Sequence, residues 1–163
     1  MSQFISVFDM LKIGVGPSSS HTLGPWRAAQ QWISKLKESS RFLWVDEVKV
    51  DLYGSLSLTG KGHATDAAIL LGLSGTDPEF IPIEEIDAIL AAVKDSSLLY
   101  LNNEKMISFS IDNIQFNKEF LPLNPNGMTF TAFQNKELIS KETYYSIRGG
   151  FIIQDDDSLV DEI

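Results

Sequence analysis

Apolar residues recur at Leu23, Trp26, Ala29, Ile33 and Leu36, a spacing that gathers them on one side of a helix. Pro25 suits the first turn of such a helix, where its missing N–H has no partner to lose. Upstream, "SVFD" offers Ser6 as an N-cap with an acid three residues on, which predicts a short helix from about Val7 to Lys12 ending at Gly14. Downstream, Val48, Val50 and Leu52 alternate with polar neighbours in "VKVDLYG" and predict a strand ending at Gly54. "GSLSLTGKGH" then reads as a Gly/Ser/Thr loop. "ATDAAILLGL" is apolar nearly all round and predicts a buried helix. "PIEEIDAILAAVKDS" predicts an amphipathic helix, with Pro82 near its start and acids in the first turn, where the helix dipole favours them.

The period then changes. "LLYL", "ISFSI", "IQF", "MTFTAF", "LIS" and "TYYSI" are short alternating runs separated by Asn, Asp, Gly and Pro. They predict several antiparallel strands or hairpins. Helices lead and a sheet-rich half follows. The expected fold class is therefore α+β or mixed α/β, one domain with helices packed on a mostly antiparallel sheet.

Composition narrows the class. The chain has 163 residues, 44% hydrophobic and 21% charged, as expected of a soluble globular domain with a sizeable core. Net charge is −9, but the last nine residues, "DDDSLVDEI", hold five of the acids and no base. This stretch reads as a solvated linker or end. The remainder carries 17 acidic against 13 basic residues, which argues against nucleic-acid binding. Without cysteine the chain offers no disulfide, zinc-thiolate or iron–sulfur ligand of its own. "MSQFISVFDM" lacks a basic stretch followed by an apolar run, and no apolar segment is long enough to span a bilayer. A cytoplasmic location without membrane contact is the expectation.

Candidate chemistry sits in the loops. "GVGPSSSHTLGP" sets Ser18, Ser19, Ser20 and Thr22 just before a helix start, where hydroxyls and N–H groups stabilise an anion. His21 is the one group among them that titrates near neutrality. The alternative is a serine-capped helix start with a satisfied histidine. "GSLSLTGKGHATD" fails the Walker pattern, because five residues separate Gly54 from Gly60–Lys61 and Gly62 follows the lysine. It leaves Lys61 and the second of two histidines, His63, ahead of a buried helix. Asp66 lies three residues on, one helical turn away, where it could orient His63, share a metal with it or act as an N-terminal charge. Two ligands do not complete a metal site. Both histidines of the chain thus stand in Gly/Ser/Thr loops at helix starts. In "LPLNPNGMTF", Asn124 and Asn126 flank Pro125. They suit a turn, or an amide that orients a polar substrate. Tyr144 and Tyr145 face opposite sides of a strand.

"SVFDMLKIGVGPSSSHTLGP", "VDLYGSLSLTGKGHATD", "LPLNPNGM" and "SKETYYSIRGGFI" closely resemble the β domain of bacterial iron–sulfur L-serine dehydratases, or L-serine ammonia-lyases. The resemblance covers about Ser6 to Ile153. It is strongest over the first ~75 residues and from Leu121 onward, and weaker between. It implies a β domain over residues 1–153, followed by an acidic linker or terminus over 154–163. The implied fold is similar to the allosteric substrate-binding domain of some phosphoglycerate dehydrogenases. The implied reaction removes water from L-serine, giving an enamine that becomes pyruvate and ammonia. The implied cofactor is a [4Fe–4S] cluster, ligated by cysteines of an α domain or subunit that this chain lacks. Homo-oligomers are common in the family. By resemblance His21 and His63 are the catalytic candidates, one as base and the other handling substrate or leaving group. Ser18, Ser19, Ser20, Thr22, Lys61 and Asn126 would bind substrate, and Asp66 would orient. One position departs: after "YYSI" the family pattern has three glycines, and Arg148 takes the first place. A module that only senses serine or a similar small molecule is the competing function, and a scaffold that only docks the α domain is a third.

Overall fold

The computed structural model describes residues 20–60 and 64–155. The expected helix at residues 7–12, and with it Ser18, Ser19, Lys61 and His63, lies outside the described residues, as does the acidic stretch from 156.

The helical spacing from Leu23 becomes α1, Leu23–Glu38, with Lys35 and Lys37 in its last turn, where the dipole favours cations. A 3-10 turn at Phe42–Trp44 leads into β1, Glu47–Leu52, which buries Val48, Val50 and Leu52 on one face. "GSLSLTG" is a helix, α2, Gly54–Gly60, where the sequence suggests a loop. Gly54, at φ +56, makes the sharp turn out of β1 that starts it. Leu56, fully buried, then fastens this helix to the core, and tertiary packing overrides weak local propensity. The apolar helix is α3, Ala64–Leu73, and the amphipathic one α4, Ile83–Ser96, with Pro82 as its N-cap. α3 packs closely on α1: a side chain at Gly72 would strike the backbone oxygen of Trp26.

The second half supplies β2 (Leu98–Leu101), β3 (Lys105–Ser108), β4 (Ile114–Phe116), β5 (Gly127–Gln134), β6 (Glu137–Ser146) and β7 (Ile152–Asp155). Five strands form one sheet in the order β4-β1-β5-β6-β7, while β2 and β3 pair apart as a hairpin. Most neighbours are antiparallel, but β4 runs parallel to β1, with Val50 opposite Ile114. "LIS" and "TYYSI" are one strand, β6, and "ISFSI" is strand only to Ser108, with Ile111 in a 3-10 turn. β7 takes in Gln154 and Asp155, the first two residues of the expected linker.

The fold is thus mixed α+β with helices on a mostly antiparallel sheet. Its core lies between α1 and the sheet. Trp32 stacks on Phe130 with ring centroids 5.3 Å apart, and Phe130 meets Tyr144 edge-on at 5.7 Å. Tyr145 points to the other face of the sheet and is buried as well.

Candidate functional site

β5 and β6 are central strands whose shared end carries two loops. The loop before β5 holds Asn124, Pro125 and Asn126; the turn after β6 is Ser146, Ile147 and the 3-10 segment Arg148–Gly150. The N-terminal end of α1 comes down beside both. Gly24 allows it: an added Cβ would lie 1.8 Å from Ser146 Oγ.

Side chains then stitch these segments together. Ser146, with no exposed surface, donates from Oγ to the carbonyl of Ser20 at 2.6 Å. Its backbone N–H donates to the carbonyl of Asn126 at 3.0 Å. Its own carbonyl accepts from Asn126 Nδ2 at 3.2 Å. Asn126 is held from a third side, where its N–H donates to Asn124 Oδ1 at 2.9 Å. The other end of the Asn126 amide, Oδ1, faces His21 Nε2 at 3.2 Å. The backbone of His21 is fixed separately, since the buried Thr65 hydroxyl donates to its carbonyl.

Three segments distant in sequence therefore converge around His21: the first turn of α3 and the loop before β5, which bond it directly, and the end of β6, which bonds Ser20 and Asn126. Such multiple tethering sets a side chain to within narrow limits. His21 and Asn126 are half-buried and Thr22 is buried. Thr22 is the N-cap of α1, its carbonyl accepting from Trp26 N at 3.0 Å, and the first turn of α1 contains no acidic residue. This leaves the positive end of the helix dipole uncompensated by its own side chains.

Of the residues singled out in the sequence, Ser20, His21, Thr22 and Asn126 stand together. Asp66 is in the first turn of α3, where its Oδ1 accepts from Ala67 N at 2.8 Å, the duty of an N-terminal helix charge. Thr65 and Ser146 were not singled out. Ser146 is a hydroxyl set between Tyr145 and Ile147, and Thr65 stands between Ala64 and Asp66 at the start of an apolar helix. Arg148, in place of a glycine, begins the 3-10 segment without needing positive φ; Gly149 and Gly150 take φ +80 and +82 instead. The Arg27 guanidinium reaches across to the carbonyl of Gly150 at 3.3 Å.

Two phenols beside the sheet hold their protons more tightly than usual. Burial, then the hydrogen bond and charge of Glu142, push Tyr144 up. Burial, with Asp51 and Glu119, pushes Tyr53 up. Both stay neutral at physiological pH. Among the described residues no three His, Cys, Asp or Glu side chains group as a metal site, and no helix is long and apolar enough to cross a membrane.

The family described as serine dehydratase beta chain matches residues 6–157. An L-serine dehydratase of Haemophilus influenzae is 47% identical over 154 residues, 93% of this chain and 34% of that protein. L-serine dehydratase 1 of Escherichia coli is 45% identical over 154 residues, with the same coverage of 93% and 34%. The Streptomyces coelicolor L-serine dehydratase is 42% identical over 156 residues, again 93% and 34%. The chain thus spans about a third of the length of the curated relatives it matches. Taken with the match over nearly its whole length, this shows that the chain belongs to the serine dehydratase beta chain family.

Proposed function

We propose that this chain supplies the acid–base and substrate-positioning part of an L-serine dehydratase. The observation that supports it best is the convergence of three distant segments on His21 and its neighbour Ser20. His63 belongs to the same reading, since it precedes Thr65 by two residues and Thr65 holds the His21 carbonyl.

The chemistry asks for such groups. The α-proton of serine is a weak acid and its β-hydroxide a poor leaving group. A neutral histidine is a suitable base near neutral pH. One histidine takes the α-proton; the β-hydroxyl departs as water with a proton from the other. The product is an enamine, which tautomerises to an imine and hydrolyses to pyruvate and ammonia. Ser18, Ser19, Ser20 and Thr22 precede α1 in the sequence, and the start of a helix is a favourable place for the substrate carboxylate or for a bond to its amine. Lys61 balances carboxylate charge.

The [4Fe–4S] cluster implied by the resemblance does not fit on this chain, which has no cysteine and, among the described residues, no grouping of metal ligands. Its ligands belong to a partner α domain or subunit in the remaining two-thirds of the relatives' length. The β domain is residues 1–153, with the acidic residues 154–163 a linker or terminus, in a cytoplasmic enzyme.

The test is anaerobic pyruvate formation from L-serine by this chain alone and with its cluster-bearing partner. Turnover only in the mixture is expected, with His21→Ala and His63→Ala each lowering kcat by about 10²- to 10⁴-fold. Turnover that survives both substitutions would reduce the chain to a binding or docking unit.

A further inference from the structure

The geometry points to one proton position on His21. Asn126 and Ser146 hold the imidazole as the Nε2–H tautomer, which makes Nδ1 the nitrogen that carries the lone pair.

One atom of this network has a fixed role. The carbonyl of Ser146 can only accept a hydrogen bond. The Asn126 side-chain atom 3.2 Å from it must then be the NH₂ end of the amide. The opposite end is Oδ1, an acceptor, and it faces His21 Nε2 at 3.2 Å. Nε2 must donate to it. In a neutral imidazole the proton on Nε2 leaves the lone pair on Nδ1. The amide cannot rotate to reverse this, because its NH₂ would then face Nε2 while its oxygen met the Ser146 oxygen. The Asn126 backbone is pinned as well, by Asn124 Oδ1 at 2.9 Å and by Ser146 N–H at 3.0 Å. Orientation of a ring by a bond to its far nitrogen is the usual way a protein selects a tautomer.

Asn126 is thereby a positioning residue, acting through His21, and Ser146 fixes its polarity. This consequence for catalysis rests on the proposed role of His21; the tautomer itself does not.

The chain contains two histidines, so His63→Gln leaves a single ring to observe. The experiment is ¹⁵N–¹H correlation of the ring nitrogens in that variant, with the ring titrated to its neutral form. One tautomer is expected, with the proton on Nε2. A ring proton on Nδ1, or an averaged pair of nitrogens, would overturn the proposal. Adding Asn126→Ala should release the ring into an averaged pattern, whereas Asn126→Asp, which keeps an acceptor, should retain Nε2–H. An unchanged spectrum in a folded Asn126→Ala protein would also overturn it.

In the assembled enzyme with His63 restored, Asn126→Ala should lower kcat about 10- to 100-fold with KM little changed. A raised KM with unchanged kcat would make Asn126 a substrate contact instead. Absence of turnover in the parent mixture would sink the proposed function and leave the spectra to decide the tautomer. A wrong tautomer in an active enzyme would sink only this inference.

Discussion

α1 and α4 carry the same kind of amphipathic pattern, and the fold treats them differently. α1 buries nine of its sixteen residues, wedged between the sheet on one side and α3 on the other. α4 fully buries only Val93. Ile86 and Ile89 rest half-buried on a small satellite cluster of Trp26, Ala68, Leu71 and Ile81. The helix whose N-terminal end meets His21 is fixed along its whole length, while the outer helix is held by Leu90 and Val93 against the main core and by Ile86 and Ile89 against the satellite cluster. Precision at the site is thus a property of where α1 is trapped, and α4 contributes at one remove, through α3 and Trp26.

The largest effect should come from loosening that trap. Trp32 is almost completely buried, stacks on Phe130 and donates from Nε1 to Ser140 Oγ at 3.2 Å. Trp32→Ala should cost about 3–5 kcal/mol in chemical unfolding. A cost below about 1 kcal/mol would mean that α1 is not the element that organises the core.

Gly24→Ala should follow. Its new Cβ would meet Ser146 Oγ and lie 2.7 Å from Ser146 Cβ, so α1 must back away from β6. Overpacking of this kind costs about 1–3 kcal/mol. It also breaks the bond from Ser146 Oγ to the Ser20 carbonyl, on the chain leading into His21. Unfolding gives the first number and turnover of the assembled enzyme the second. Turnover should fall further than the lost stability explains, and Ser146→Ala in the same chain should recover part of the stability. Wild-type turnover in Gly24→Ala would detach the site from the position of α1.

What the sequence revealed, and what it did not, follows the same division. α1, α3 and α4 were legible because a helix is a local periodicity, and β1 because alternation is. α2 was not: Gly, Ser and Thr dominate "GSLSLTG", and the tertiary burial of Leu56 leaves no local mark there. The parallel pairing of β1 with β4 was invisible, since register between remote strands leaves no local mark. β7 was missed because it is a short edge strand running into acidic residues. At the site, residue type and loop context marked His21, Thr22 and Asn126. Nothing local could say that Asn126 meets His21, or that Thr65 and Ser146 hold the two together, because those contacts are made only when the sheet is assembled.

A third test probes the seam between α1 and β6 from the outside. Tyr144 donates to Glu142 Oε2 at 2.7 Å, and Lys35 of α1 pairs with the same carboxylate at 2.9 Å. Burial first, and Glu142 second, raise the Tyr144 pKa above its ordinary value of 10.0. The folded state therefore keeps a proton that the unfolded chain gives up near pH 10. This contribution to stability is complete below about pH 10 and declines as pH rises beyond it. Unfolding midpoints measured from pH 8 to 11 should fall more steeply in the wild type than in Tyr144→Phe. Equal slopes would show that the phenol titrates alike in both states.

The smallest effect belongs to α4. Ile89 is half-buried against the satellite cluster and touches none of the residues that hold His21. Its truncation to alanine removes apolar contact at a site that water already reaches, so little cavity is left behind. Ile89→Ala should cost about 1 kcal/mol, less than Trp32→Ala by a wide margin. Turnover of the assembled enzyme should stay at the wild-type level, because Ile89 packs on the satellite cluster and not on the side chains that hold His21. The informative result would be the opposite one. If Ile89→Ala spared stability but lowered turnover, the satellite cluster under α4 would have to be setting the position of α3 and its first turn. Thr65, and with it the His21 carbonyl, would then be adjustable from the periphery, and the contrast between a fixed helix and a soft one would fail where it matters most.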